Sequence, residues 1–366
     1  MIQMVSLGDI CDIKIGRTPP RKQPQWFSES HGIKWASIKD MGNTGKYISQ
    51  TSEFLTADAI KKFNIPIIPA GTLLMSFKLT VGRLGFTEYD MCSNEAIAQL
   101  PIKDPDIVDK NYLYYYLKNF NFGSLSSTSS IATAVNSKTV KNISVNLPPL
   151  DRQKKIANIL GSLDEKIELN RRMNETLEQL GQALFRHYFV DNHEAKDWEN
   201  IYLGDIVAIT TGKGSTKANL SEYGKYPLYG ANGVMGRSQN YLLNEKVIVT
   251  GRVGTLGVVR AVVDKAWFSD NVIIMKPDPS IFGYVFYVVC GIDYASLNRG
   301  STQPLITQTD LKNQRVKLPP LSTLQRFENS YAVIFNQIQA NKRQMSTLVA
   351  ICDSLLPKLI SGEIEV

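Results

Sequence analysis

The tetrapeptide Leu7-Gly8-Asp9-Ile10 recurs as Leu203-Gly204-Asp205-Ile206, 196 positions later. Leu147-Pro148-Pro149-Leu150 returns as Leu318-Pro319-Pro320-Leu321 at an offset of 171, preceded in each case by Lys-Asn (Lys141-Asn142 and Lys312-Asn313). Between them, Val81-Gly82-Arg83-Leu84-Gly85 is matched by Val253-Gly254-Thr255-Leu256-Gly257 at 172. Chance supplies one short match easily, but three in the same order indicate a duplicated unit whose loops have changed length. The chain is therefore constrained to two copies of one plan, each leading into the segment after its Leu-Pro-Pro-Leu.

Those two segments have helical periodicity, and proline just ahead of a helix start is where a helix tolerates it. In the first, Ile156, Leu160, Leu163, Ile167, Asn170, Asn174, Leu177, Gly181 and Leu184 follow one another in steps of four and three. In the second, Phe327, Tyr331, Ile334, Ile338, Asn341, Met345, Leu348, Cys352 and Leu355 repeat the seam. This is a heptad pattern with an asparagine at its middle. Each helix would hold about 35 to 40 residues, or roughly 55 Å. Polar flanks (Arg171, Arg172, Glu175, Glu178; Lys342, Arg343, Gln344) make the seam narrow, so the helices are expected to pack on each other as an antiparallel coiled coil. The alternative is that each stripe packs on its own domain's core. Asn170 and Asn341 either fix the register from a buried position or face solvent. Pro357 is expected to kink or end the second helix.

Ahead of each helix lies a mixed unit. Strands are expected at 72–77 and 95–101 in the first and at 246–250 and 271–276 in the second. Helices are expected at 56–63, 109–119 and 280–290, the first two opened by the N-caps Thr56 and Asp109. The polar stretch 191–199 reads as a connector. The expected class is α+β: two mixed α/β domains (1–146 and 191–317) in a pseudo-two-fold arrangement, joined by two long helices (147–190 and 318–366).

Composition narrows the function. With 366 residues, 43% hydrophobic and 20% charged, the chain can bury a sizeable core. Its apolar runs are far short of the roughly 20 residues that cross a bilayer, and no secretory leader is evident, so a soluble, cytoplasmic protein without a membrane partner is expected. Four scattered cysteines and three histidines offer no metal-ligand spacing, and neither a metal nor a cofactor is expected. Gly212-Lys213-Gly214-Ser215-Thr216-Lys217 has the composition of a phosphate loop but the wrong spacing. There is no GxSxG, no HExxH and no Asn/Asp-Pro-Pro-aromatic loop, although the weak signature of a metal-dependent nuclease could hide among scattered acids.

The formal charge of +7 suits a polyanion, and the excess leans to residues 1–190, which hold 23 Lys+Arg against 18 Asp+Glu. A pseudo-two-fold basic protein fits duplex DNA, which presents equivalent grooves about 34 to 36 Å apart. Basic residues among Ser, Thr, Asn and Gln on Gly-containing loops suit phosphate positioning and base-edge contact. The candidates are Arg17, Thr18, Arg21 and Lys22 after the first opening motif and Lys213, Ser215 and Lys217 after the second. Lys78 and Arg83 flank Val81-Gly82, Arg252 precedes Val253-Gly254, and Arg237 and Arg299 lie in further Gly-containing loops. Solvated basic loops are the plainer explanation. The clustered Tyr112, Tyr114, Tyr115 and Tyr116 fit helix packing better than base stacking.

With these motifs assembled, the whole chain resembles the specificity (S) subunits of type I restriction-modification systems. The resemblance rests on the two Leu-Gly-Asp-Ile openings, Leu147 to Gln153, the run Phe185 to Asp191, and Leu355 to Ile364 at the C-terminal end, in this order. It implies two target recognition domains that each read half of a bipartite double-stranded DNA site, with the helices setting the unread spacer. It also implies docking of two methyltransferase subunits, to which restriction subunits can add. The first half lacks the tryptophan that often precedes the opening motif, whereas the second has Trp198. A coiled-coil scaffold that joins proteins without reading nucleic acid remains the alternative, and an enzyme that modifies or cuts DNA alone comes third.

Overall fold

The structure, a computed structural model, describes residues 3–43, 45–125, 136–214, 223–300 and 302–366. The chain divides into two compact units, Met1–Arg171 with Lys342–Val366, and Arg172–Asn341. Each unit thus takes part of both long helices, a grouping that cuts across the four consecutive segments expected from sequence.

The first unit begins with Gln3–Ser6, paired antiparallel to Ser144–Leu147 with Gln3 opposite Leu147. Ser6 and Asp9 then form a capping box that starts the short helix Leu7–Ile10. Among the described residues a five-stranded sheet follows, in the order Lys14–Ile15, Ile97–Leu100, Leu73–Ser76, Leu84–Thr87, Tyr47–Ile48. A smaller sheet orders Phe27–Ser28, Glu53–Leu55, Ile33–Ala36 and Cys92–Ser93, its last pair parallel. Helix Lys110–Lys118 starts at Asp109, whose carboxylate accepts Tyr112 N–H at 2.8 Å. Tyr112, Tyr114 and Tyr115 are buried in the core with Leu73, Met75, Phe86 and Ala98, and the Tyr112 hydroxyl donates to Asn146 O at 2.7 Å. These tyrosines pack the helix.

The second unit repeats the plan residue for residue where the motifs lie. Glu199–Tyr202 pairs with Arg315–Leu318, and Glu199 opposite Leu318 is the register of the first ladder. Leu7 N–H donates to Ile143 O and Leu203 N–H to Gln314 O, both at 2.8 Å. The glycine of each opening motif explains the distant Lys-Asn: a Cβ on Gly8 would come within 3.2 Å of the Lys141 side chain, and one on Gly204 within 3.0 Å of that of Lys312. The sheets are Val207–Thr211, Val272–Pro277, Val247–Gly251, Arg260–Val262 and Gly233–Ser238, Tyr226–Gly230, Trp267–Phe268, again with a parallel final pair. Helix Phe282–Cys290 takes the place of Lys110–Lys118.

The long helices span Leu150–Phe185 and Leu321–Ser361. In each unit their segments run antiparallel. In the first, Asn170 meets Gln344 and Arg152 lies beside Gly362; in the second, Asn174 meets Asn341 and Phe185 meets Phe327. Every seam position is buried or half-buried. Seam residues also enter the globular cores: Ile156, Leu160 and Leu355 in the first unit, Leu184, Phe327 and Tyr331 in the second. Mutual packing and core packing therefore coexist on one stripe. Asn170 and Asn341 are buried rather than solvated.

Two expectations gain detail. Of the two outcomes expected at Pro357, an end at the proline does not occur, because the helix continues to Ser361; Leu359, almost fully buried, anchors that last turn in the first unit's core and offsets the hydrogen bond proline removes. The connector 191–199 contains the turn His193–Asp197, and Trp198 within it is buried against Phe189.

Candidate nucleic-acid interface

In both larger sheets two parallel strands flank one antiparallel strand, and this fixes where their exits lie. Lys14–Ile15 and Leu73–Ser76 both run antiparallel to Ile97–Leu100, so both leave the sheet where Ile97 enters it. The first exit, through Gly16, feeds the loop with Arg17, Thr18, Arg21 and Lys22. The second, through Phe77, feeds the turn that carries Lys78 and returns at Arg83. One short segment receives both: Gly16 N–H donates to Ile97 O (3.2 Å), Arg17 N–H to Ser93 O (2.9 Å) and Phe77 N–H to Ala96 O (2.9 Å). The second unit does the same with Val207–Thr211 and Val247–Gly251 around Val272–Pro277. Its exits are Gly212-Lys213 and Arg252, and the loop of Arg299 joins them, since Ile306 N–H donates to Arg252 O at 3.0 Å. Topology thus gathers each copy's basic loops at one sheet end.

Glycine makes the first exit possible. A Cβ on Gly16 would stand 2.2 Å from the carbonyl oxygens of Ser93 and Asn94, and one on Gly212 would stand 2.2 Å from Ser269 O. Immediately afterwards the carbonyls of Arg17 and Lys213 accept indole N–H bonds from Trp35 (3.1 Å) and Trp267 (3.3 Å). These tryptophans sit on different strands of the equivalent parallel pairs. The backbone anchor is common to both copies although its donor has moved.

A family model for the type I restriction modification DNA specificity domain matches residues 2–179 and again 195–341. The two matched stretches contain the two copies just described. The chain belongs to this specificity-domain family. Among its relatives, the type I restriction enzyme MjaIX specificity subunit of Methanocaldococcus jannaschii is 26% identical over 412 residues, covering 98% of this chain and 93% of that protein. The MjaVIII specificity subunit of the same organism is 23% identical over 71% of each chain. A crystal structure of a type I restriction-modification S subunit from M. genitalium shares the fold, with a TM-score of 0.64 at 17% identity over 98% of this chain and 96% of that one.

Within this specificity-domain chain the side chains named from sequence divide by what already holds them. Arg17 donates to Phe63 O and Asn64 O at 3.0 Å and so closes the helix Ala57–Phe63. Arg21 pairs with Glu53 at 2.6 Å while lying 4.4 Å from the Phe27 ring and 4.6 Å from that of Trp35. Thr18 donates to Glu95, Arg83 to Ile38 O at 2.6 Å, and Arg299 pairs with the buried Asp310. Arg237 donates to Gly224 O and Lys225 O at the start of its hairpin, where Tyr226 pairs with Ser238. That places Arg237 away from the gathered exits. Lys22, Lys78 and Lys213 are exposed and have no side-chain hydrogen bond or ion pair among the described residues. Arg252 has one long bond, 3.5 Å to Asp270 O. Ser215 and Lys217 lie outside the described residues.

Two further residues at these exits were not singled out by sequence. Leu79 follows Lys78 and is 94% exposed with φ +60°. Its only sequence signal was an apolar residue inside a Gly-containing turn. Arg260 is exposed and donates to Asn232 O at 3.2 Å, a placement set by sheet pairing that no local pattern announces. Among the described residues no group of His, Cys, Asp or Glu could hold a metal ion, and no helix is long and apolar enough to cross a membrane.

Proposed function

We propose that this chain is the non-catalytic DNA-recognition subunit of a type I restriction-modification assembly. Each unit reads one half of a bipartite duplex site, and the paired helices set the unread spacer. The observation that carries this reading is the gathering of cations at the same sheet end in both copies of a duplicated fold, with Lys22, Lys78 and Lys213 lacking a side-chain hydrogen bond or ion pair among the described residues and Arg252 making a single long one. Lys22 and Lys78 meet the duplex in the first unit, and Lys213 and Arg252 in the second. Arg17, Arg21, Arg83 and Arg299, closely bonded to carbonyls or carboxylates, shape the loops instead. The long helices dock two methyltransferase subunits, with restriction subunits adding to them. Leu169 (52% exposed), Leu180 (46%) and Val333 (71%) on their surfaces support a protein partner there.

Duplex binding tests this. Lys78→Ala and Arg252→Ala should each weaken binding, and each loss should follow one half-site when the two are scrambled in turn. Uniform loss on all sequences makes both phosphate contacts only. Affinity should fall steeply with salt, and a flat response would remove duplex DNA as the ligand. Incubation with duplex and Mg²⁺, or with a methyl donor, should yield no product from the chain alone.

A further inference from the structure

The turn between Leu73–Ser76 and Leu84–Thr87 is braced on both sides and bare at its tip. Ser76 grips it from within: its hydroxyl donates to Thr80 O and accepts Arg83 N–H at 2.9 Å, and its carbonyl accepts Gly82 N–H at 2.9 Å. Arg83 ties the returning arm to Ile38 O at 2.6 Å. Gly82, at φ +89°, lies so close to Phe122 that a Cβ would meet the ring at 2.5 Å. Between these clamps Lys78, Leu79 and Thr80 are exposed. Leu79 holds a left-handed φ of +60° with 94% of its surface in water. Both features disfavour a branched apolar residue in the free protein. A rigid turn that holds a leucine outward beside an exposed lysine is suited to an apolar target next to a phosphate.

We propose that Leu79 is a specificity determinant of the first unit and contacts the 5-methyl group of a thymine in the major groove. This rests on the functional reading above. The thymine methyl is the one apolar group among the base edges of that groove, and Lys78 supplies the charge for the adjoining backbone. The second unit has no counterpart: Gly251, opposite Val272, takes the place of Ser76, opposite Ile97, and only Arg252 and Val253 separate it from Gly254, where Phe77 to Val81 separate Ser76 from Gly82. The two turns therefore offer different chemistry, a leucine in one and a guanidinium in the other.

The test uses the full chain co-expressed with its candidate methyltransferase partner and a duplex selected from a random pool by the wild-type complex. Each thymine of the selected half-sites is replaced in turn by deoxyuridine, which removes only the methyl. One replacement should weaken wild-type binding by about fourfold, the worth of a buried methyl. Leu79→Ala should bind the thymine duplex about fourfold more weakly and be indifferent to that replacement. Leu79→Gly should melt no lower than wild type, because glycine accepts the left-handed backbone, so loss of recognition is separated from loss of fold. Half-sites insensitive to deoxyuridine, or a Leu79→Ala complex that keeps the sensitivity, would overturn the proposal while the bipartite reading stands. If the wild-type complex selects no pair of half-sites, the functional reading fails and the role of Leu79 fails with it.

Discussion

In the first unit the amide of Asp109, which heads the helix Lys110–Lys118, donates to the side chain of Gln153 at 2.9 Å, and the same glutamine donates to Ile107 O and Pro148 O. In the second unit the head of Phe282–Cys290 is met by Glu328, whose carboxylate accepts Gly283 N–H at 3.1 Å and Tyr284 N–H at 2.8 Å. Both side chains come from the opening turns of a long helix, and both tie that helix to its globular body. One copy uses a neutral amide satisfied on every side. The other uses a partly buried carboxylate, which brings Lys246 with it, set 3.8 Å from the Phe282 ring and 4.0 Å from that of Phe335. Burial holds Glu328 above the ordinary carboxylate range and pushes Lys246 down to about 8. Duplication thus preserved the joint and let its chemistry drift.

The largest effects should come from features the copies share. Gly16→Val and Gly212→Val each drive a side chain into carbonyl oxygens, and each should cost about 3 kcal/mol or more in thermal unfolding. Each should also abolish binding at one half-site while sparing the other. Next comes the joint. Gln153→Leu strands a buried amide and two carbonyls and should destabilise by about 2 to 3 kcal/mol. Glu328→Gln removes the buried charge and keeps one acceptor, but it sets an amide NH2 against one of the two helix N–H groups, so it should destabilise by only about 1 kcal/mol. Equal losses in denaturant titration would erase the distinction between the joints.

The seam asparagines sharpen the comparison through sign. Asn170 donates to Gln344 at 2.8 Å, and Gln344 is exposed, so Asn170→Leu lets the glutamine turn to water and should stabilise by about 1 kcal/mol. Asn341 donates to Asn174 at 2.9 Å, and Asn174 is only 6% exposed. Asn341→Leu leaves that amide stranded and should destabilise by about 1 to 2 kcal/mol. The smallest effect concerns pH. The folded chain loses the Lys246 proton near pH 8, whereas an unfolded lysine keeps it to about 10.4. Between those values the unfolded state binds more protons, so stability should rise with pH. Lys246→Met should remove that rise, which solvent screening limits to about 1 kcal/mol or less.

Long-period information was legible in the sequence. The duplicated ladder, the seam on both helices and the strands 72–77 and 271–276 announce themselves through repeats and periodicity, which need no knowledge of the partner. The strongest candidate positions were likewise visible as cations on matched loops. What those cations touch was not visible. Arg17 and Arg83 find backbone carbonyls 46 and 45 residues away in sequence, contacts that exist only once the two sheets have packed. Leu79 was passed over because composition treats an apolar turn residue as noise, and its meaning depends on a backbone angle. At Pro357 the local rule allowed a kink or an end, and the end does not occur because the residues beyond it pack into the core.

The central claim is that one chain carries two readers at a fixed separation. Selection of a random duplex pool by the chain, co-expressed with its candidate methyltransferase partner, addresses it most directly. Two short, different half-sites separated by an unread spacer of constant length should be enriched. Deleting one heptad from each long helix, residues 164–170 and 335–341, should shorten that spacer without changing either half-site. Enrichment of a single continuous site, or of no site while the methyltransferase still co-purifies, would contradict the account and leave a protein scaffold in its place.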